Sequence, residues 1–464
     1  MQTVDFLIVG AGVSGLGAST RANQISEKTW LMVEKESEPG GLSRTIEEDG
    51  FKMDFGGHVS GNHLKIVDDI MQAAIGPYDG PNWSNLKRVS HVIMEDGGKV
   101  RKVPYPFQKN LKYLSDESMK ECIKGLVNRD QRKPPENFKE WILANFGEGI
   151  SDKFMMPYNF KVWAHSPEMM AHDWVSDRVA KIDAYEAVKN ILEDEENSQW
   201  GPNNYFNYPI KGTGEIYIKM AEMLPSKNQM YNTSVDKIDK DNRVATLSNG
   251  SRVSYKYLIS TMPLDILMPM VDMVPDMTKL RHSSTNVILF GFEGKCPNSD
   301  SCWMYFPGDD VPFYRATIFL NYSPENTPDP DKYYSLMIEV SESEFKPVNQ
   351  ETLVIECLEA CKKMGMVSDG SKLVKTIKER AGYGYPTPCL GTRDYVRSTR
   401  KELKKSGIYS SGRFGVYMYS ISNMDGAMTQ GIQSVDNALY GATESWIETP
   451  EFETSRYNED MAYP

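Results

Sequence analysis

Gly56, Gly57 and His58, in the stretch FGGHVSG, set two adjacent glycines against one histidine. Side-by-side glycines let a flat group lie against bare backbone, and an imidazole then stands beside it. Upstream, Gly10, Gly12 and Gly15 form the spacing GxGxxG. That spacing supplies a tight turn, close approach of the backbone to a pyrophosphate, and tight packing of a helix on a strand. Glu34 follows about 20 residues on, where a carboxylate accepts from ribose hydroxyls. A second doubled glycine, Gly40 and Gly41, opens a further loop after the acid. The chemistry these residues suit is the holding of a long dinucleotide whose ring lies far from its adenine.

Such residues need rigid elements to hold them. The segments DFLIVGAGVSGLGASTRANQ and TWLMVEKE read strand, glycine turn, helix, strand, which is a βαβ start. Residues 104–200 turn helical: SDESMKECIKGLVNRD and PENFKEWILANFG open on capping residues and space their apolar residues by three and four. Short β-like runs dominate residues 205–345, among them TNVILFGFEG, CWMYF, FYRATIF and YYSLMIEV. Within them SVDKIDKDNRVATLSNGSRVSYKYLISTM reads as a meander that feeds a strand back into the first domain. The chain then reads as a strand, GIYSSGRFG, and one helix with Ile432, Val435, Leu439 and Trp446 on a single face. The expectation is an α/β fold in which a discontinuous Rossmann-like FAD-binding domain (1–103 with 232–264 and 405–450) carries two insertions. These are a helical substrate-binding domain (104–204) and an antiparallel β-sheet domain (205–231 with 265–404), followed by a polar tail (451–464).

Composition narrows the function classes. The 464 residues are 40% hydrophobic and 25% charged, as in ordinary globular proteins. A net charge of −12 argues against a nucleic-acid surface, so an anionic ligand needs locally placed arginines. No run of about 18 apolar residues is present to span a membrane, and FLIVG at Phe6 leaves no room for a signal peptide. The six cysteines form no CxxC pair, and no histidine lies near Cys357 and Cys361. The expectation is a reduced, cytoplasmic protein without a metal.

The extended cofactor pose, with a late SGRFG strand and a terminal helix, resembles the FAD-dependent amine-oxidase and protoporphyrinogen-oxidase superfamily. More specific strings occur in order along the chain: VPYPFQ (103–108), FMMPYNFKVWA (154–164), RVA at Arg178, WGPNNYF (200–206), CWMYFP (302–307), PFYRATIFLNYSP (312–324), YGYPTP (383–388) and GRFG…Y…N (412–423). Together with GGHV they resemble the eukaryotic-type UDP-galactopyranose mutases over nearly the whole chain.

The residue types suit a nucleotide sugar in their own right. Tyr105, Phe107, Phe154, Tyr158 and Trp163 offer aromatic faces to a uracil, and Gln108 and Asn159 offer amides to its edge or ribose. Arg178 and Arg315 are forked donors matched to diphosphate oxygens. Tyr305, Tyr385 and Tyr419 share that charge, and Asn203 and Asn423 reach sugar hydroxyls or flavin. The resemblance adds Trp303 to the substrate set. It implies cofactor contacts from Gly10, Gly12, Val13, Ser14, Gly15, Glu34, Lys35, Gly41, Leu42, Ser43, Val235, Gly412, Arg413, Asn423 and Met424. It places the isoalloxazine against Gly56, Gly57 and His58, and His58, Arg178 and Arg315 in the catalytic group.

The implied reaction interconverts UDP-galactopyranose and UDP-galactofuranose. Both isomers share one oxidation state, so net hydride removal is not the role of the flavin. No side chain stands out as an anomeric nucleophile, and the resemblance assigns that task to N5 of reduced FAD, through a flavin–sugar iminium. NADPH or NADH would supply the reduction. His58 would hold the reduced flavin by hydrogen bonding, with no acid–base role assigned. Ser60, Gly61 and Asn62, with Met418 and Ser420, depart from the family pattern and leave a related nucleotide sugar open. Two other readings stand beside it: an amine or porphyrinogen oxidase of the superfamily, and a non-catalytic flavin-binding protein. A homo-oligomer is left open.

Overall fold

The computed structural model describes residues 1–448 except 61–63, 176–178, 195, 197–204 and 298–299. Its first layer grows from the strand Gln2–Val9, whose central residues Phe6, Leu7 and Ile8 are fully buried. A strand buried on both faces needs a continuous apolar run, and this sequence supplies one. Gln2–Val9 pairs in parallel with Arg252–Ser260 on one side and Trp30–Val33 on the other. Beyond Arg252–Ser260 lie Val244–Leu247 and Val235–Asp239, both antiparallel, while Ile408–Ser410 pairs with Arg252–Ser260 in parallel. The short strand Gln229–Met230 closes the far edge beside Trp30–Val33. Over this sheet the helices Val13–Gln24 and Met424–Tyr440 pack together, so the first and last parts of the chain build one core.

The second layer is a seven-stranded sheet in the order Lys372–Pro386, His282–Glu293, Tyr333–Glu342, Arg315–Ile318, Trp303–Tyr305, Ser90–Asp96, Lys99–Pro104. All its pairs are antiparallel except Trp303–Tyr305 against Ser90–Asp96, which is parallel. The two strands between 90 and 104 thus belong to this sheet rather than to the nucleotide layer expected to run to 103. Conversely, Gly214–Glu222 packs into the first core through Ile216, Tyr217 and Met220, and Tyr205–Pro209 pairs with Trp83–Lys87. These segments meet partners more than a hundred residues away, which no local pattern announces.

The helical module contains Asp116–Asn128, Phe138–Ile150, Met156–Trp163 and Ala184–Leu192. Ser115, Asn137 and Asp183 cap three of these by accepting from the backbone amide of the third residue of each helix. A π-helical turn, Ser151–Met155, leads into Met156–Trp163, the helix that carries Tyr158 and Asn159. At the other end, Gly441 adopts a left-handed φ of 66° and stops Met424–Tyr440. Trp446 therefore lies on a separate short helix, Ser445–Glu448, and not on the face of Ile432 and Val435. Its indole still docks back, donating to the Ile421 carbonyl at 2.7 Å.

Candidate functional site

The turn after Gln2–Val9 is shaped by its glycines. Gly10 has a φ of 103°, and a Cβ on Gly15 would overlap the Gly10 carbonyl, so strand and helix meet with no room for a side chain. Gly12 is different: a Cβ there would meet nothing nearer than the Gly41 Cα at 3.8 Å. Its open side is where a pyrophosphate can approach the backbone. The loop Gly40–Ser43 lies across this opening, with Gly40 N donating to Ala11 O at 2.9 Å. Leu42 packs partly buried beside it and Ser43 is buried.

Glu34, at the end of Trp30–Val33, accepts from Ala11 N at 2.6 Å and Glu36 N at 2.9 Å. A carboxylate has about four lone-pair positions, so capacity remains for ribose hydroxyls. Val235 is buried in the same core as Leu31 and Val33, whereas the Lys35 side chain is largely exposed. From the other end of the chain, Gly412 (φ 83°) comes within contact of Ser14, whose hydroxyl pairs with Ser411 at 2.8 Å. Val13 and Met424 are buried in the shared core, and Asn423 sits exposed at the N-terminus of Met424–Tyr440. Arg413 donates to Ser422 O at 3.0 Å and lies over the rings of Tyr385 and Tyr419.

The glycine–histidine loop follows the strand Phe51–Asp54 and rests against the second sheet. Gly56 has a φ of 118°, and His58 N donates to its carbonyl at 2.8 Å. His58 Nδ1 is buried with no hydrogen-bond partner. Burial pushes this imidazole down to about 4, with the Arg413 guanidinium opposing a second positive charge, so His58 is neutral near pH 7. A Cβ on Gly57 would stand 3.4 Å from the Tyr322 hydroxyl, 3.7 Å from Arg315 Cζ and 3.8 Å from Thr317 Oγ1. The Tyr322 and Thr317 hydroxyls are themselves buried without partners. Unpartnered buried polar atoms are costly, and two of them face the bare backbone of Gly57 here. The glycine turn, the spare capacity of Glu34 and the orphaned His58 nitrogen fit a flavin dinucleotide.

Arg315 is engaged more fully than its sequence position suggests. Its Nε and Nη2 meet the two carboxylate oxygens of Glu339 at 2.6 and 2.7 Å. Glu339, only 1% exposed, also accepts from the Tyr314 hydroxyl at 2.7 Å and the Gly57 amide at 3.3 Å. Sequence reasoning missed Glu339, Tyr314, Thr317 and Tyr322. The available signal was a lone acid inside an apolar strand run, Leu336–Val340, since a buried carboxylate requires a partner.

The expected aromatic set divides in two. Phe107, Phe154 and Trp163 are fully buried in the core of the helical module, with Phe107 stacked on Phe154 at 4.9 Å and Phe154 on Tyr158 at 5.1 Å. Tyr105, Tyr158, Tyr305, Tyr385 and Tyr419 are half-buried and form the inner face: Tyr305 touches Tyr105 at 5.0 Å and Tyr158 at 5.2 Å, and Tyr385 meets Tyr419 at 5.5 Å. Burial raises the hydroxyls of Tyr158, Tyr305 and Tyr385, while Arg315 opposes the rise, so these remain neutral donors facing the guanidinium. Trp303 is half-buried beside Phe206. The Gln108 amide nitrogen donates to Ala180 O and its oxygen is buried without a partner. The Asn159 amide donates to Met155 O of its own helix at 2.7 Å, leaving its oxygen for other partners. Arg178 and Asn203 lie outside the described residues.

Residues 20–439 match the model of the flavin containing amine oxidoreductase family. Among solved structures, a reduced UDP-galactopyranose mutase shares 40% identity over 98% of both chains, with a TM-score of 0.91. Cyclohexylamine oxidase from Brevibacterium oxydans IH-35A aligns over 94% of this chain and 98% of its own at 13% identity and a TM-score of 0.64. A CLA-producing fatty acid isomerase from P. acnes aligns over 94% and 99% at 13% identity and 0.59. The last two share the fold with this chain. No described helix is long and apolar enough to cross a membrane.

Proposed function

The chain belongs to the flavin containing amine oxidoreductase family and to the UDP-galactopyranose mutase family, and we propose that it interconverts UDP-galactopyranose and UDP-galactofuranose with reduced FAD and no net redox change. The observation that carries this reading is the wall opposite Gly57. There Arg315, the unpartnered hydroxyls of Tyr322 and Thr317, and the tyrosine cage offer donors to an anionic, polyhydroxylated ligand beside the flavin-binding loop. An amine substrate would find a guanidinium where it needs an acceptor.

When bound, reduced flavin supplies a nucleophile toward the anomeric carbon, with a nicotinamide as its reductant. This chain does the rest. Arg315 takes up charge as the diphosphate leaves, with Tyr305 and Tyr385 donating neutral hydroxyls to the same group. Neutral His58 presents Nδ1 as a hydrogen-bonding atom toward the ring. Gln108 and the tyrosines Tyr105 and Tyr158 receive the uridine. Arg178 and Asn203 complete the diphosphate and sugar contacts in this reading.

The test is direct. Dithionite-reduced protein incubated with UDP-galactofuranose should yield UDP-galactopyranose by chromatography, with many turnovers per reduction. Full activity with oxidised flavin in air, or reductant consumed one-for-one with product, would refute the proposal and favour an oxidase.

A further inference from the structure

Glu339 is a fully buried acid at the candidate site, and it holds two parts of that site at once. Its carboxylate takes Arg315 through Nε and Nη2 and also takes the Gly57 amide, with the Tyr314 hydroxyl fixing the rotamer from behind. The paired strands Arg315–Ile318 and Tyr333–Glu342 set Arg315 and Glu339 directly opposite in register, so the bidentate geometry is built into the sheet. Two parallel N–H···O bonds define the guanidinium plane.

We propose that Glu339 is a positioning residue for substrate binding: it fixes the plane of Arg315 against the glycine–histidine loop, so that the guanidinium meets the diphosphate without having to be ordered by it. This rests on the reading of the site as one for a UDP-sugar. Binding is strengthened when the host's side chains are ordered beforehand, because the ligand then does not bear that entropy.

Coulomb's law alone gives the opposite expectation. A carboxylate beside a diphosphate repels it, so neutralising Glu339 should tighten UDP binding if orientation did not matter. The sign of the change therefore separates positioning from a plain structural ion pair.

The experiment titrates flavin-loaded protein with UDP, following tryptophan fluorescence, for the parent, Glu339→Gln, Glu339→Ala, Arg315→Ala and the double variant Arg315→Ala/Glu339→Ala. We expect Glu339→Ala to weaken UDP about tenfold, the scale of one charge-assisted hydrogen bond. Glu339→Gln keeps the shape and one acceptor and should fall between it and the parent. In the Arg315→Ala background, removing Glu339 should weaken binding no further, because Glu339 acts through the guanidinium. Should Glu339→Ala not fold, the isosteric Gln variant decides. If Glu339 variants bind UDP as tightly as the parent or more tightly while Arg315→Ala binds weakly, the positioning role is overturned and the UDP-sugar reading stands. If the parent itself binds no UDP, both fall.

Discussion

Gly57→Ala should separate folding from ligand binding at this site. Gly57 has no left-handed backbone conformation, and an added Cβ would find its nearest neighbour, the Tyr322 hydroxyl, at an ordinary contact distance of 3.4 Å. Stability should therefore change by no more than about 0.5 kcal/mol. The same methyl projects into the space between the loop and the unpartnered hydroxyls of Tyr322 and Thr317. A ligand that reaches these groups past bare glycine backbone would meet that methyl, and binding should weaken at least tenfold, about 1.4 kcal/mol. Gly56→Ala is the control. Its φ of 118° disfavours any L side chain, and its Cβ would stand 3.2 Å from Glu339 Oε2. That combination should cost about 1–3 kcal/mol of stability. The assay pairs urea unfolding with FAD content, UDP titration and turnover of reduced protein. A Gly57→Ala variant that keeps flavin, UDP affinity and turnover at parent levels would refute the placement of ligand against this loop.

Gly12→Val should abolish flavin retention with little loss of fold, since its open side is closed only by the Gly41 Cα at 3.8 Å; a yellow variant with stoichiometric FAD would contradict this. Lys161 is buried and donates to the carbonyls of Gly308 and Val311 at 2.7 and 2.8 Å, tying the helical module to the second sheet. Burial, reinforced by Lys346 and opposed by Asp310 and Asp309, pushes its ammonium down to about 7 from the usual 10.5. The unfolded chain then holds a proton that the folded chain has released, so stability should rise as pH increases between those values, by about 2 kcal/mol after the carbonyl bonds offset part of the desolvation. Lys161→Met should flatten that rise in urea midpoints. Glu444, fully buried among Arg400, Lys404 and Ser434, anchors the segment after Gly441. Glu444→Gln should lose about 3 kcal/mol in unfolding while leaving UDP affinity unchanged.

Features that depend on local chemistry were readable from the residues alone. A continuous apolar run, three glycines at fixed spacing and an acid at the next strand's end specify a dinucleotide turn, because backbone approach and helix packing there tolerate no side chain. The capping residues before Asp116–Asn128 and Phe138–Ile150, and the doubled glycine at Gly56 and Gly57, were legible because they too act locally. Ordered strings of aromatics and arginines pointed to the mutase family, though they did not separate Tyr158, which faces the site, from Phe107 and Phe154, which fill the core. Packing made that division, since burial depends on what approaches from elsewhere in the chain. It also decided which sheet receives the strands between 90 and 104, because pairing across two hundred residues leaves no local periodicity. Above all, it brought Glu339 onto Arg315 and Gly57. An acid inside a strand announces that it needs a partner, but register between distant strands chooses which one.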